Sequence, residues 1–176
     1  NHDVVRAASR FGLPTTGKGP NGIGAGDAQP DAELGLRRSR AALLLMLGLP
    51  GSAYLYQGEE LGLPEHTALP DEVRQDPTFA RTQGQVKGRD GCRVPIPWQR
   101  DAGAYGFSPT GASWLPQPES FGPLAVDAQT GDPHSTLELV RTALRIRREC
   151  GLGSGSLAWT REAGDSPDLV AFRNGE

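Results

Sequence analysis

Residues 31–60 read DAELGLRRSRAALLLMLGLPGSAYLYQGEE, and this stretch decides the fold class. Residues 31–49 are predicted to form a helix, because Asp31 suits the N-cap position and Pro50 stops the helix. Residues 53–56 are apolar throughout, as is typical of a strand buried on both faces of a parallel sheet. A helix that runs into such a strand after a short turn is an α/β unit.

Two features of this unit bear on packing and on function. The helix is expected to expose its three arginines and to bury an apolar side that includes Leu44 and Leu45. Glu59 and Glu60 lie just past the end of the predicted strand, after Gln57 and Gly58. Because α/β folds bind ligands at the carboxyl ends of their strands, the two acids are candidate site residues.

A second helix is predicted over residues 135–150. Ser135 and Glu138 have the spacing of a capping box, and Gly151 suits the left-handed position that follows a helix. Arginines crowd the last turn, where the helix dipole favours cations.

The remaining segments are less regular. Residues 61–134 show no strong period and are rich in Pro, Gly, Asp and Ser, so a functional loop with short helices near residues 71–82 is expected. Residues 157–159 and 169–172 are predicted to be short strands.

The composition excludes several classes of partner. The 176 residues carry 18 Lys and Arg against 21 Asp and Glu, a net charge of −3 that indicates neither a nucleic-acid partner nor an anionic membrane surface. The longest apolar run, residues 41–49, is far shorter than the ~20 residues that span a bilayer. Cys92 and Cys150 lack metal or redox spacing and favour free thiols in a reducing, cytoplasmic compartment. The three histidines show no metal-ligand spacing.

Three motifs occur in a fixed order along the chain. NHD at residues 1–3 is followed by SRFGLP at 9–14, then by LPGSAYLYQGEELG at 49–62 and by KGRDGCRVPIPW at 87–98. In this combination the chain resembles the α-glucosidase and oligo-1,6-glucosidase branch of the α-amylase family, which is glycoside hydrolase family 13. The similarity extends over about the first 150 residues.

The resemblance implies a (β/α)₈ barrel, of which this chain would be the C-terminal part. Residues 1–151 would run from the end of the seventh barrel strand through the eighth helix. Residues 152–176 would begin a C-terminal β-sandwich domain. The α/β unit at residues 31–60 agrees with this assignment.

The resemblance also implies roles for individual residues. Asp3 matches the carboxylate that stabilises the transition state, and His2 matches a histidine that hydrogen-bonds the same sugar hydroxyls. Arg89 matches an arginine that reaches the glucose, although Arg93 is an alternative as the structural partner. The two acids Glu59 and Glu60 are candidates for the aglycone side and, equally, for buried structural acids paired with an arginine. No cofactor is implied, and the implied partner is an α-glucoside or oligosaccharide.

The implied activity is retaining α-glucosidase chemistry on short oligosaccharides. In the family the nucleophilic Asp and the general-acid Glu precede NHD, so this chain alone is expected to be inactive. Two alternatives stay open. One is a transglycosylase or isomerase of the same fold, such as a trehalose synthase or sucrose isomerase. The other is a non-catalytic relative of the amino-acid transporter heavy chains, against which the intact Asp3 and Arg89 argue.

Overall fold

The computed structural model describes residues 3–14, 21–160, 166 and 168–175. Within these ranges the chain is helical and irregular, with one two-stranded antiparallel sheet. The α-helices are α1 (Ala7–Arg10), α2 (Ala32–Gly48), α3 (Pro77–Arg81), α4 (Asp90–Arg93), α5 (Val126–Gln129) and α6 (Thr136–Glu149). Shorter 3₁₀ segments are Glu59–Leu61, Asp71–Val73, Gly103–Gly106, Glu119–Leu124 and Leu152–Ser154. The strands are β1 (Leu157–Trp159) and β2 (Phe172–Asn174).

Helix α2 confirms the first predicted helix but not its buried side. The Asp31 carboxylate accepts a hydrogen bond from the Leu34 N–H at 2.9 Å, which is the expected N-cap. Leu44 and Leu45, however, are 45% and 38% exposed. Gly35 decides the orientation instead, because a Cβ on that residue would lie 2.0 Å from the Ala8 carbonyl oxygen of α1. The buried residues of α2 are Gly35, Ser39, Leu43 and Leu47, and the missing side chain at Gly35 lets α1 approach closely.

Helix α6 confirms the second predicted helix and one half of its capping box. The Ser135 hydroxyl accepts from the Glu138 N–H at 3.1 Å. The Glu138 carboxylate accepts from the Gly131 N–H, not from Ser135, so the reciprocal half of the predicted capping box is wrong. Gly151 has φ +62°, as expected after a helix C-terminus.

The predicted parallel strand at residues 53–56 is not formed. The described residues offer this segment no partner strand, and Tyr54 is 82% exposed where a doubly covered strand would bury it. A strand is stabilised by hydrogen bonds to a neighbour, so an apolar run without one stays irregular.

The strands that do form are close to the predicted ones. Strand β1 lies where it was expected, whereas β2 begins at Phe172 and overlaps the predicted strand, residues 169–172, only at that residue. Trp159 pairs with Phe172, with the rings edge to face and their centroids 5.8 Å apart. This aromatic pair fixes the alignment of the hairpin.

The long segment between α2 and α6 is folded and surrounds the main hydrophobic core. The short elements Asp71–Val73 and α3 confirm the helices expected near residues 71–82. The core cluster consists of Leu61, Leu63, Leu69, Val94, Leu115, Phe121 and Leu137. In the part of the chain that the structure describes, no helix has both the length and the apolar character needed to cross a membrane.

Candidate functional site

Asp3 lies at the centre of the candidate site and is 6% exposed. The Arg93 Nε donates to Asp3 Oδ2 at 2.8 Å, and Arg93 Nη2 donates to the same oxygen. The Arg89 Nη1 lies 3.6 Å from the other oxygen, Oδ1. The carboxylate is therefore held between two guanidinium groups from a distant part of the sequence.

Helix α4 places the two arginines together. Arg89 immediately precedes the helix and Arg93 is its last residue, and residues four apart lie on the same face of a helix. The Arg89 side chain is 38% exposed and the Arg93 side chain 25%. Both sequence candidates thus reach Asp3: Arg93 makes the closer contact, and Arg89 is the more accessible. Which of them contacts a sugar stays a prediction.

Asp76 is a further member of this cluster, and its side chain is fully buried. Its Oδ2 accepts from Arg89 Nε at 2.7 Å and lies 3.6 Å from Arg93 Nη1. Burial alone would raise the pKa of Asp76, but hydrogen bonds from Arg89 and from the Thr78 N–H hold that pKa well below its usual range. The sequence signal, an Asp before Pro77, indicates only a helix N-cap.

Arg6 connects the Asp3 segment to the other parts of the site and is 1% exposed. Its guanidinium donates to the carbonyl oxygens of Gln57 and Val94, the latter at 3.4 Å. It also lies over the Tyr56 ring, 5.4 Å from the centroid. One buried cation thereby ties three chain segments together.

Two further titratable groups lie beside Arg6. Burial raises the pKa of Glu65 to about 7, although the hydrogen bond from the Arg6 N–H, at 3.1 Å, acts in the opposite direction. Burial, assisted by the nearby Glu65 carboxylate, raises the pKa of the Cys92 thiol to about 12. A thiol with such a pKa is not a nucleophile at neutral pH.

Glu59 and Glu60, the two acids proposed from the sequence, do not form ion pairs within the Asp3 cluster. The Glu59 carboxylate accepts from the Tyr56 N–H at 3.2 Å, and the Glu60 carboxylate accepts from the Gly58 N–H at 2.8 Å. Among the ion pairs formed by described residues, neither acid is paired with an arginine. His2 lies outside the described residues. The described residues also contain no group of three or more His, Cys, Asp or Glu arranged to hold a metal ion.

This arrangement can bind a polar, neutral ligand next to a fixed carboxylate. Asp3 and Asp76 carry two negative charges, and the two guanidinium groups carry two positive charges. Because these charges balance locally, the cluster does not require an ionic ligand. Carboxylate and guanidinium groups together supply acceptors and donors for hydroxyl groups.

Comparison with known proteins relates most of the chain to a family. The family described as alpha amylase, catalytic domain, matches residues 1–153. A "Probable alpha-glucosidase" of Rhizobium meliloti is 38% identical over 150 residues, which cover 84% of this chain and 23% of that protein. The trehalose synthase/amylase of Mycobacterium tuberculosis is 33% identical over 179 residues, covering 84% of this chain and 27% of that protein.

A solved structure gives the same result at the level of the fold. An alpha-glucosyl transfer enzyme matches with a TM-score of 0.72 and 37% identity, covering all of this chain and 29% of that one. The structural neighbours are (β/α)₈-barrel enzymes, and the described residues show only part of such a fold. The chain spans about a quarter of the length of the relatives it matches.

Proposed function

Because the chain belongs to the α-amylase family of glycoside hydrolases, we propose that the whole protein is a retaining α-glucosidase acting on short α-glucosides. The observation that carries this proposal is the buried Asp3 carboxylate held by Arg93 with Arg89 beside it. Retaining glycosidases pass through an oxocarbenium-like transition state with positive charge on the sugar ring. A fixed carboxylate that hydrogen-bonds ring hydroxyls binds that state more tightly than the ground state.

Further roles follow from the family resemblance. His2 would hydrogen-bond the same hydroxyls as Asp3, and the more exposed Arg89 would reach the sugar. The nucleophile and the general acid, which retaining glycosidases hold about 5 Å apart, would lie outside these 176 residues. The purified 176-residue chain is accordingly expected to show no hydrolysis.

The barrel assignment is part of the same proposal. Helices α2 and α6 would be the seventh and eighth barrel helices, and residues 53–56 would pair as the eighth strand in the whole protein. Exposure of Tyr54 supports this, since a partner strand and its covering layer would bury that side chain. Residues 152–176, which contain the β1–β2 hairpin, would begin the β-sandwich domain.

A transglycosylase is the second candidate, and one observation favours it. The relatives include a trehalose synthase/amylase at 33% identity and an alpha-glucosyl transfer enzyme at 37% identity. Hydrolysis and transfer share a covalent glycosyl intermediate and differ in the acceptor that reaches it. Product analysis with maltose as substrate separates them, because hydrolysis yields only glucose whereas transfer yields new disaccharides or trisaccharides.

The direct test compares the whole protein with its Asp3→Asn variant on 4-nitrophenyl α-glucoside and maltose. We expect the wild type to release glucose in the retained α configuration, which proton NMR can monitor. The variant should lose roughly 100-fold or more in kcat, which corresponds to about 3 kcal/mol of transition-state stabilisation. Asp71→Asn is the matched control, because the Asp71 side chain is 55% exposed and pairs with Arg74 and Lys87 rather than with Arg89 or Arg93. Near-normal turnover in Asp3→Asn would refute the assigned role.

A further inference from the structure

The two carboxylate oxygens of Asp76 have different partners. Oδ1 accepts from the Thr78 N–H at 2.8 Å and caps α3. Oδ2 accepts from the Arg89 backbone N–H at 3.1 Å and from Arg89 Nε at 2.7 Å. Capping needs one oxygen only, so the second is available for a separate task. The fully buried side chain of Asp76 cannot contact a sugar itself.

The surroundings of Asp76 hold it in one position. Asp90 Oδ2 accepts from the backbone N–H groups of Gln75 and Asp76, at 2.7 and 2.8 Å. Gly88, with φ +70°, packs so closely that a Cβ on it would lie 2.8 Å from the Asp76 Cβ. A carboxylate fixed in this way can act as a rigid support for a neighbouring guanidinium group.

The distances show how Arg89 is shared between the two acids. Arg89 Nε lies 2.7 Å from Asp76 Oδ2, whereas Arg89 Nη1 lies 3.6 Å from Asp3 Oδ1. Without the Asp76 charge, Asp3 would be the nearest anionic partner of Arg89, and the guanidinium would be drawn towards it. Arg89 would then compete with a sugar for Asp3 and would no longer present its own donors in a fixed direction.

We propose that Asp76 is a positioning residue that sets the orientation of Arg89 relative to Asp3, through a side-chain contact separate from its N-cap contact. This inference rests on the proposed function, since the orientation matters for α-glucoside binding. A purely structural Asp76 would act through α3 and through the backbone N–H of residue 89. Its substitution would then affect the protein in the same way whether or not the Arg89 side chain were present.

A double-mutant cycle in the whole protein separates the two roles. Asp76→Asn keeps one oxygen for the N-cap but places an amide where Arg89 needs an acceptor. We expect kcat/KM on 4-nitrophenyl α-glucoside to fall by roughly 10- to 100-fold, with no such loss in Asp71→Asn. In an Arg89→Ala background the effect of Asp76→Asn should shrink to less than about threefold, because the Arg89 guanidinium is no longer there to be positioned. Equal losses in both backgrounds would overturn the proposal.

A crystal structure of the Asp76→Asn protein provides a readout that does not depend on activity. The Arg89 guanidinium should move by about 1 Å or more towards Asp3, a displacement large enough to impair catalysis. An unmoved guanidinium would overturn the proposal, even if the wild type hydrolyses α-glucosides. If the wild type proves inactive, the proposed function fails while the crystal structure still decides the positioning role. Should Asp76→Asn not fold, Asp76→Ser retains an N-cap hydroxyl and replaces it in both experiments.

Discussion

Glu65 is expected to make the stability of the protein depend on pH between 4.5 and 7. Glu65 is buried, with 5% of its surface exposed, and its carboxylate accepts a hydrogen bond from the Arg6 backbone N–H at 3.1 Å. Burial raises the pKa of the Glu65 carboxyl group from its ordinary value of 4.5 to about 7. At about 1.4 kcal/mol per unit, this difference corresponds to roughly 3 kcal/mol of unfolding free energy.

The sign follows from which state loses its proton first. Below pH 4.5 Glu65 is protonated in both the folded and the unfolded protein, and the stabilising contribution of the neutral acid is fully present. As the pH rises towards 7 the unfolded chain ionises while the folded protein keeps its proton, so the unfolding free energy falls. Above pH 7 the folded protein carries a buried carboxylate and the loss is complete.

The assay compares the wild type with Glu65→Gln, a neutral residue of nearly the same shape. Apparent urea midpoints of the whole protein, measured from pH 4 to pH 8.5, give the difference in stability at each pH. The wild type should lose roughly 3 kcal/mol relative to the variant across this range. Glu72→Gln, on the exposed turn Asp71–Val73, is the control and should show a constant offset. A constant offset for Glu65→Gln as well would refute the reasoning.

Two further pairs of substitutions test the site and the core. Arg93→Ala should lower the free energy of unfolding by about 1–3 kcal/mol, because it removes the arginine in closest contact with the buried Asp3. Arg89→Ala should mainly raise KM. Thermal melts and steady-state kinetics check both variants, and equal melting temperatures for the two variants would contradict the assignment. Phe121→Ala should cost about 3–5 kcal/mol in urea unfolding, since Phe121 is fully buried in the core cluster. Phe107→Ala, at a residue 45% exposed, is its control, and similar losses for the two would contradict the position of the core.

The helices could be predicted from the sequence because their ends are determined locally. Asp31 caps α2 through a residue three positions away, and Ser135 caps α6 in the same way. The strand predicted at residues 53–56 is not formed in the structure, because its formation is not determined locally. Its apolar residues indicate burial, but strand formation depends on a partner that no local pattern specifies.

The candidate site was only partly visible in the sequence. The NHD and GRDGCR motifs led to Asp3, Arg89 and Arg93, which the structure brings together. The connection of Asp76 to Arg89 had no such motif, because an Asp before a Pro indicates a cap whether or not its second oxygen has another partner. The buried side of α2 was missed for a similar reason. Hydrophobicity did not reveal that Gly35 allows α1 to approach closely.

The buried acids explain how a long irregular segment can hold two arginines in place. Buried backbone N–H groups outside helices and sheets need acceptors, and water is not available to supply them. In this segment buried carboxylates are the acceptors. Asp90 accepts hydrogen bonds from the backbone N–H groups of residues 75 and 76, Asp76 from those of residues 78 and 89, and Glu65 from that of Arg6. Each bond joins backbone to a side chain that is itself buried, so the segment gains the rigidity that regular secondary structure would otherwise provide. The acids that order the backbone thereby also determine the positions of the Arg89 and Arg93 guanidinium groups relative to Asp3.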